Sequence, residues 1–162
     1  MAKNNTKSKK GFTIIEVVLV LAIAGLIFLM VFVALPSLQR SQRDTQRRSD
    51  MARLATAIAN WQANHDNNLP STAANATSLL NDYLRQGDGE FTDPDRGNYT
   101  LTITAASSSN ISNRPTANTS AIMMFTGAQC TDGAPAVKAN SPRSYAIIYQ
   151  LEGSGLYCLD NS

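Results

Sequence analysis

The sequence predicts an α+β protein. A long N-terminal α-helix, membrane half then amphipathic half, packs on a small antiparallel β-sheet. Three observations carry this. Residues 17–35 hold no charged or hydrogen-bonding side chain, a run of 19 residues, close to the ~20 a helix needs to cross a bilayer. Met51, Leu54, Ile58 and Trp61 then recur at helical spacing, which marks one apolar stripe on a further helical stretch. After residue 98 the apolar residues fall instead into short segments rich in β-branched and aromatic side chains, separated by Gly, Pro, Asn and Ser; that pattern belongs to strands and turns.

The elements follow in order. Residues 1–10 carry Lys3, Lys7, Lys9 and Lys10 and no acid. A basic start before an apolar run resembles a secretory signal, but the run exceeds the ~7–15 residues of an ordinary signal core. No small-residue cleavage site follows it, so a retained, uncut anchor is the plain alternative. The chain has a net charge of +2. Without the four leader lysines, 10 basic and 12 acidic residues remain, a charge of −2. The basic balance therefore resides in the leader and argues little for a nucleic-acid partner.

Pro36 lacks a helix donor and clashes with the preceding turn, so a kink or a split is expected there. Arg40, Arg43, Arg47 and Arg48 then form a basic collar, interrupted by Asp44. The spacing lets Asp44 pair with Arg48, and the collar reads as a solvated juxtamembrane face with attraction for lipid headgroups. Alanines at 52, 55, 57, 59 and 63 favour helix around the stripe. Arg53, Asn60 and Gln62 lie opposite it. "HDNNLPST" ends the helix near Asn64. Leu79, Leu80, Tyr83 and Leu84 suggest a short second helix. "YTLTITA" and "AIMMFTG" read as strands, and "SYAIIYQ" with "GLYCLD" as a closing hairpin, giving three to five antiparallel strands in all.

Chemistry-bearing residues are few. His65 is the one histidine and reads as an exposed residue at a helix C-terminus. Asp88, Glu90, Asp93 and Asp95 stand close in sequence; calcium is one reading, but the order is not that of an EF-hand, and a solvated turn is the other. No nucleophile elbow, phosphate loop or CxxC pair occurs, which counts against an enzyme; no cofactor and no metal site are expected. Arg114, Lys138 and Arg143 are too scattered for a nucleic-acid-binding stripe and read as ordinary surface charge. Cys130 and Cys158 are the two cysteines. Outside the cytoplasm an even pair suggests one disulfide; two separate thiols are the alternative. A bridge closing a loop of this length stabilises by roughly 3–4 kcal/mol in the chain-entropy model.

One residue breaks the apolar logic. Glu16 stands at the threshold of the membrane-length run, and a charge at a bilayer centre costs roughly 2.5–3.5 kcal/mol on insertion scales. Its setting, "KKGFTIIEVVLVLAIAGLI", resembles the N-terminus of type IV pilins. The shared pattern is Lys9–Lys10, Gly11, Phe12, Thr13 and Glu16 in order, at the head of a long apolar run. The resemblance covers the leader and long helix, and the cysteine pair and the helix-then-sheet order fit it.

The resemblance implies a leader of residues 1–11, a filament-core helix over 12–35, an amphipathic continuation over 36–64 and a globular head over 65–162. It also implies that a prepilin peptidase cuts between Gly11 and Phe12 and methylates the new amine of Phe12. Assembly then rests on Glu16 and that amine. Gly25 matches a common family glycine that lets helices approach, with Ala22 and Ala24; Pro36 comes about one turn later than the usual family proline. The implied partners are other pilin subunits, the inner-membrane assembly platform and, before assembly, membrane lipid. A pilus serving adhesion, motility or DNA uptake is the first functional expectation. A pseudopilin of a type II secretion system is the second: "DPDRGNY" faintly matches the major-pseudopilin loop "DPWGNPY", with Arg96 in place of the tryptophan.

Overall fold

The computed structural model describes residues 11–85, 91–107, 111–116, 119–132, 134–137, 142–152 and 155–161. The leader lysines, Asp88, Glu90 and Lys138 lie outside them, and so do the expectations that rest on those residues. The chain forms two compact units, Met1–Gln39 and Arg40–Ser162.

The first helix, α1, spans Ile14–Asn64 with Pro36 inside it. Of the kink or split expected at Pro36, the split does not occur, since α1 runs on through it; one lost donor is not enough to end a helix. α1 ends where the sequence places its stop. Asp66 and Asn67 take left-handed conformations, φ 52° and 63°, which their short polar side chains tolerate better than most. The Asn67 N–H then reaches the Gln62 carbonyl at 2.8 Å and closes the last turn. A second helix, α2, covers Ala73–Leu79 and continues as a π-turn over Leu80–Leu84. Thr72 caps α2, its hydroxyl accepting from the Asn75 N–H at 3.2 Å.

Among the described residues eight strands follow: β1 Thr92–Asp93, β2 Gly97–Asn98, β3 Thr100–Ala105, β4 Ala121–Thr126, β5 Ala128–Thr131, β6 Ala134–Val137, β7 Tyr145–Gln150 and β8 Leu156–Asp160. The main sheet has the order β3-β4-β7-β8, four strands, within the three to five expected, and two two-stranded pairs lie beside it. One pairing refines the expectation of a purely antiparallel sheet. β3 and β4 run parallel, with Thr100 opposite Ala121, so the sheet is mixed. The segment between them is long enough to return the chain to its starting end, which a tight hairpin cannot do.

The Arg40–Ser162 unit has apolar layers on both faces of this sheet. On one, Met51, Leu54, Ile58 and Trp61 of α1 pack with Ile122, Met124, Ile147 and Tyr149. This is the stripe read from the sequence, and Arg53 and Asn60 opposite it are exposed. On the other, Phe125, Ala128, Ala146 and Ile148 form a smaller cluster, with Ile111 and the two cysteines against it. Alternate residues of a strand face opposite sides. Strand β7 is buried on both, which is why "YAIIY" reads as an unbroken apolar run. Gly127 joins β4 to β5 at φ +74°, a conformation that β-carbon sterics deny most residues.

Candidate functional site

Within the Met1–Gln39 unit, Gly11, Phe12 and Thr13 precede the helix and Ile14 begins it. The boundary is set locally. The Thr13 N–H donates to Glu16 Oε2 at 2.8 Å and its hydroxyl to the same oxygen at 2.7 Å. The Glu16 N–H faces Thr13 Oγ1 at 3.4 Å. This is a capping box, in which residues three apart satisfy each other's free donors at a helix start. It places a carboxylate at the positive end of the helix dipole. Sequence reasoning assigned Thr13 no role of its own, although the Thr-x-x-Glu spacing was there to be read.

Phe12 and Glu16 lie on one open face with Val17, Val20 and Leu21. Phe12 is 89% exposed. Beyond its two chain neighbours, Gly11 has open space where a β-carbon would stand, and so has Gly25 beyond the backbone of its own helix. Nearly every apolar side chain from residue 12 to 38 is exposed. The helix is long and apolar enough to cross a membrane, and its most hydrophobic window has a mean hydropathy of 3.2 with none of its residues buried. The structure thus brings Phe12 and Glu16 together on one surface, and Gly25 and Pro36 lie further along the helix.

The basic collar departs from the solvated, headgroup-facing reading. Arg47 is fully buried and donates to both oxygens of Asp93, at 2.7 Å and 3.0 Å. It also donates to Asp44 at 2.9 Å, so Asp44 pairs with Arg47 and not with Arg48. Arg43 donates to both oxygens of Glu152, at 2.9 Å and 3.1 Å. Arg48 lies over the ring of Tyr157. Arg43 and Arg47 thus form an internal clamp between α1, β1 and the turn after β7, while Arg40 and Arg48 are exposed as the solvated reading expects. Nothing in the local sequence announces it, since the partners stand 46 and 109 residues away.

Asp93 is correspondingly not part of a solvated turn. Burial pushes its carboxyl up, but hydrogen bonds from Arg47, from the Tyr149 hydroxyl and from the Asp95 N–H outweigh that and hold it at about 2. The hydrogen bond to Asp93 raises Arg47 in turn. Asp50 behaves oppositely: burial raises it, although Tyr99 donates to it at 3.1 Å and Arg53 at 3.3 Å. Among the described residues no cluster of three or more His, Cys, Asp or Glu is placed to hold a metal ion.

Cys130 and Cys158 form a disulfide between β5 and β8. The bridge lies beside the smaller cluster and ties the β5–β6 hairpin to the sheet. Asp160 accepts from the Cys130 N–H close by. His65 is exposed at the end of α1, as expected, but its ring stacks on Trp61 at 3.9 Å. Arg114 and Arg143 are exposed.

Residues 6–32 match the family described as the prokaryotic N-terminal methylation motif. Comparison with curated proteins and with solved structures gave no match.

Proposed function

From the premise that residues 6–32 form a type IV prepilin-type, class III signal, we propose that this protein is a pilin, a structural subunit of a type IV pilus. Signals of this class are read by a prepilin peptidase and belong to structural, not enzymatic, filament proteins. The apolar helix fits a membrane-anchored precursor.

The proposed processing removes residues 1–11 by cleavage between Gly11 and Phe12, followed by methylation of the Phe12 amine. The open space around Gly11 suits peptidase access to that bond. Residues 12–35 then serve as the filament-core helix, 36–64 as its amphipathic continuation and 65–162 as the head. The precursor sits in the inner membrane, and the assembled subunit in an extracellular filament.

The observation that carries this reading is the geometry of Glu16. Both Thr13 contacts fall on Oε2, which leaves Oε1 to accept a cation. In lipid an unpaired carboxylate favours any arrangement that supplies one. Cleavage creates such a cation at Phe12, and a neighbouring subunit presents the same amine. Head-to-tail contacts of this kind do not close on themselves and extend into a helical filament. Gly25 and the small residues beside it permit close helix approach in that core.

Mass analysis of the mature N-terminus tests the reading. A species beginning at methylated Phe12 supports it; a chain that keeps Met1 or Lys3 sinks it and leaves an uncut membrane-anchored binding domain. Electron microscopy of wild-type and deletion cells then separates long surface pili from the short pseudopilus of a type II secretion system. The disulfide weighs toward the pilus. Arg96 weighs the same way, because it replaces the tryptophan of the pseudopilin-like loop and donates instead to the carbonyls of Thr119 and Gln150.

A further inference from the structure

A second candidate site lies in the head, where α1 ends. An open depression of about 440 Å3 has His65, Asp66, Asn68, Leu69, Ser71 and Asn75 in its lining, with the edge of Trp61 behind His65. That volume is within the range of small-molecule sites, about 300–1,000 Å3. The left-handed residues Asp66 and Asn67 fold the chain back over the helix end and shape the rim. Trp61 and His65 stack nearly parallel, 5° apart, which holds the histidine ring in place. His65 Nδ1 stands 2.9 Å from the Trp61 carbonyl. A carbonyl only accepts, so Nδ1 carries the hydrogen, and Nε2 of the neutral ring is an acceptor.

Asn64, also on the rim, donates to the Tyr83 hydroxyl; the other polar side chains there are uncommitted. Among the described residues, the side chains of Asp66, Asn68, Ser71 and Asn75 make no hydrogen bond or ion pair with the rest of the chain. The amides donate and accept, the hydroxyl does both, and the carboxylate accepts. No Lys or Arg lines the depression, so it does not suit a phosphate; one carboxylate does not make a cation site. Leu69 is apolar and half-buried, and the exposed His65 ring, stacked on the buried Trp61, gives the depression one aromatic face. A ring that carries C–H groups on its face and hydroxyls around its edge matches such a surface on both counts. The geometry points to a binding subsite for a neutral saccharide, a mono- or disaccharide unit seated against the outer face of the exposed His65 ring and hydrogen-bonded by the asparagine rim.

Trp61 is the only tryptophan of the chain, so its fluorescence reports on this site directly. The full-length protein in detergent is titrated with glucose, galactose, mannose, N-acetylglucosamine, N-acetylgalactosamine and their disaccharides. Calcium chloride and inorganic phosphate serve as counter-probes. The expected result is a saturable shift with at least one saccharide. Loss of one rim hydrogen bond in Asn68→Ala or Asn75→Ala should weaken it by roughly 2- to 10-fold. Arg143→Ala, outside the depression, should leave it unchanged. Asn68 is exposed and Asn75 is half-exposed; circular dichroism of each variant confirms that the head is folded. No saturable shift with any saccharide, a shift indifferent to both rim variants, or a shift with calcium or phosphate alone overturns the proposal.

Discussion

The two units of the chain treat apolar side chains in opposite ways. In Arg40–Ser162, Met51, Leu54, Ile58, Phe91, Phe125, Ile122 and Ile148 are sealed inside. From Phe12 to Leu38 the large apolar residues stand exposed, from 47% at Leu35 to 89% at Phe12, and all the large exposed apolar residues of the described chain lie in that stretch. Burial of apolar surface is the dominant favourable term in folding. The head satisfies it within one molecule. The exposed N-terminal helix leaves it to partners outside the chain: on the proposed reading, lipid first and sister helices afterwards. Charged groups follow the same division. Arg47 and Asp93 are both buried and complete each other, whereas among the described residues Glu16 pairs with its own Thr13 alone.

Three substitutions test that division. The largest effect is expected from Glu16→Ala. Filament yield should fall to near background by shear preparation and microscopy, while membrane insertion and unfolding of the head stay as in the wild type. Normal piliation in this variant would contradict the role assigned to Glu16. Arg47→Ala should act in the opposite unit. It strips the Arg47 cation from Asp93 and Asp44 and should cost about 3–5 kcal/mol of head stability, the usual penalty for orphaning one side of a buried pair. Denaturant unfolding followed by Trp61 fluorescence measures this, and N-terminal processing should remain intact. A loss below about 1 kcal/mol, typical of exposed pairs, would show that the clamp is superficial.

The smallest effect is the pH response of the clamp. Asp93 is held at about 2 in the folded state against an ordinary value of 3.8. Its contribution, about 2 kcal/mol, is therefore complete above pH 3.8 and lost as pH falls from there through about 2. Glu152, lowered by the hydrogen bond from Arg43, acts in the same sense below its ordinary value of 4.5. Asp50 opposes them: burial raises it, so its protonation on acidification favours the folded head. Stability curves between pH 5 and 2 should slope downward in the wild type, and Asp93→Asn should flatten the low end. An unchanged slope in that variant would move the acid sensitivity elsewhere.

Much of the fold was legible because its cues are local. The apolar run, the stripe from Met51 to Trp61, the Asn-rich stop after Asn64 and the hairpin signal around β7 and β8 each need only a short window of sequence. The four strands of the main sheet were also read at nearly their observed bounds. The parallel pairing of β3 with β4 was not, because strand direction depends on how the intervening segment travels. Thr13 belongs to the legible class, since its cap is written in a four-residue spacing. Arg47 does not. An arginine in a row of arginines carries no mark of being buried.

The order of residues alone establishes the signal at residues 6–32, the membrane-length helix and the position of Glu16, because each is a statement about neighbours along the chain. Packing decided which arginine of the collar left water, which carboxylate received it and which face of the sheet the disulfide covers. Those outcomes depend on groups 28 to 109 residues apart meeting in one place. Their energies exist only after the helix stripe and the sheet have closed around them and excluded solvent.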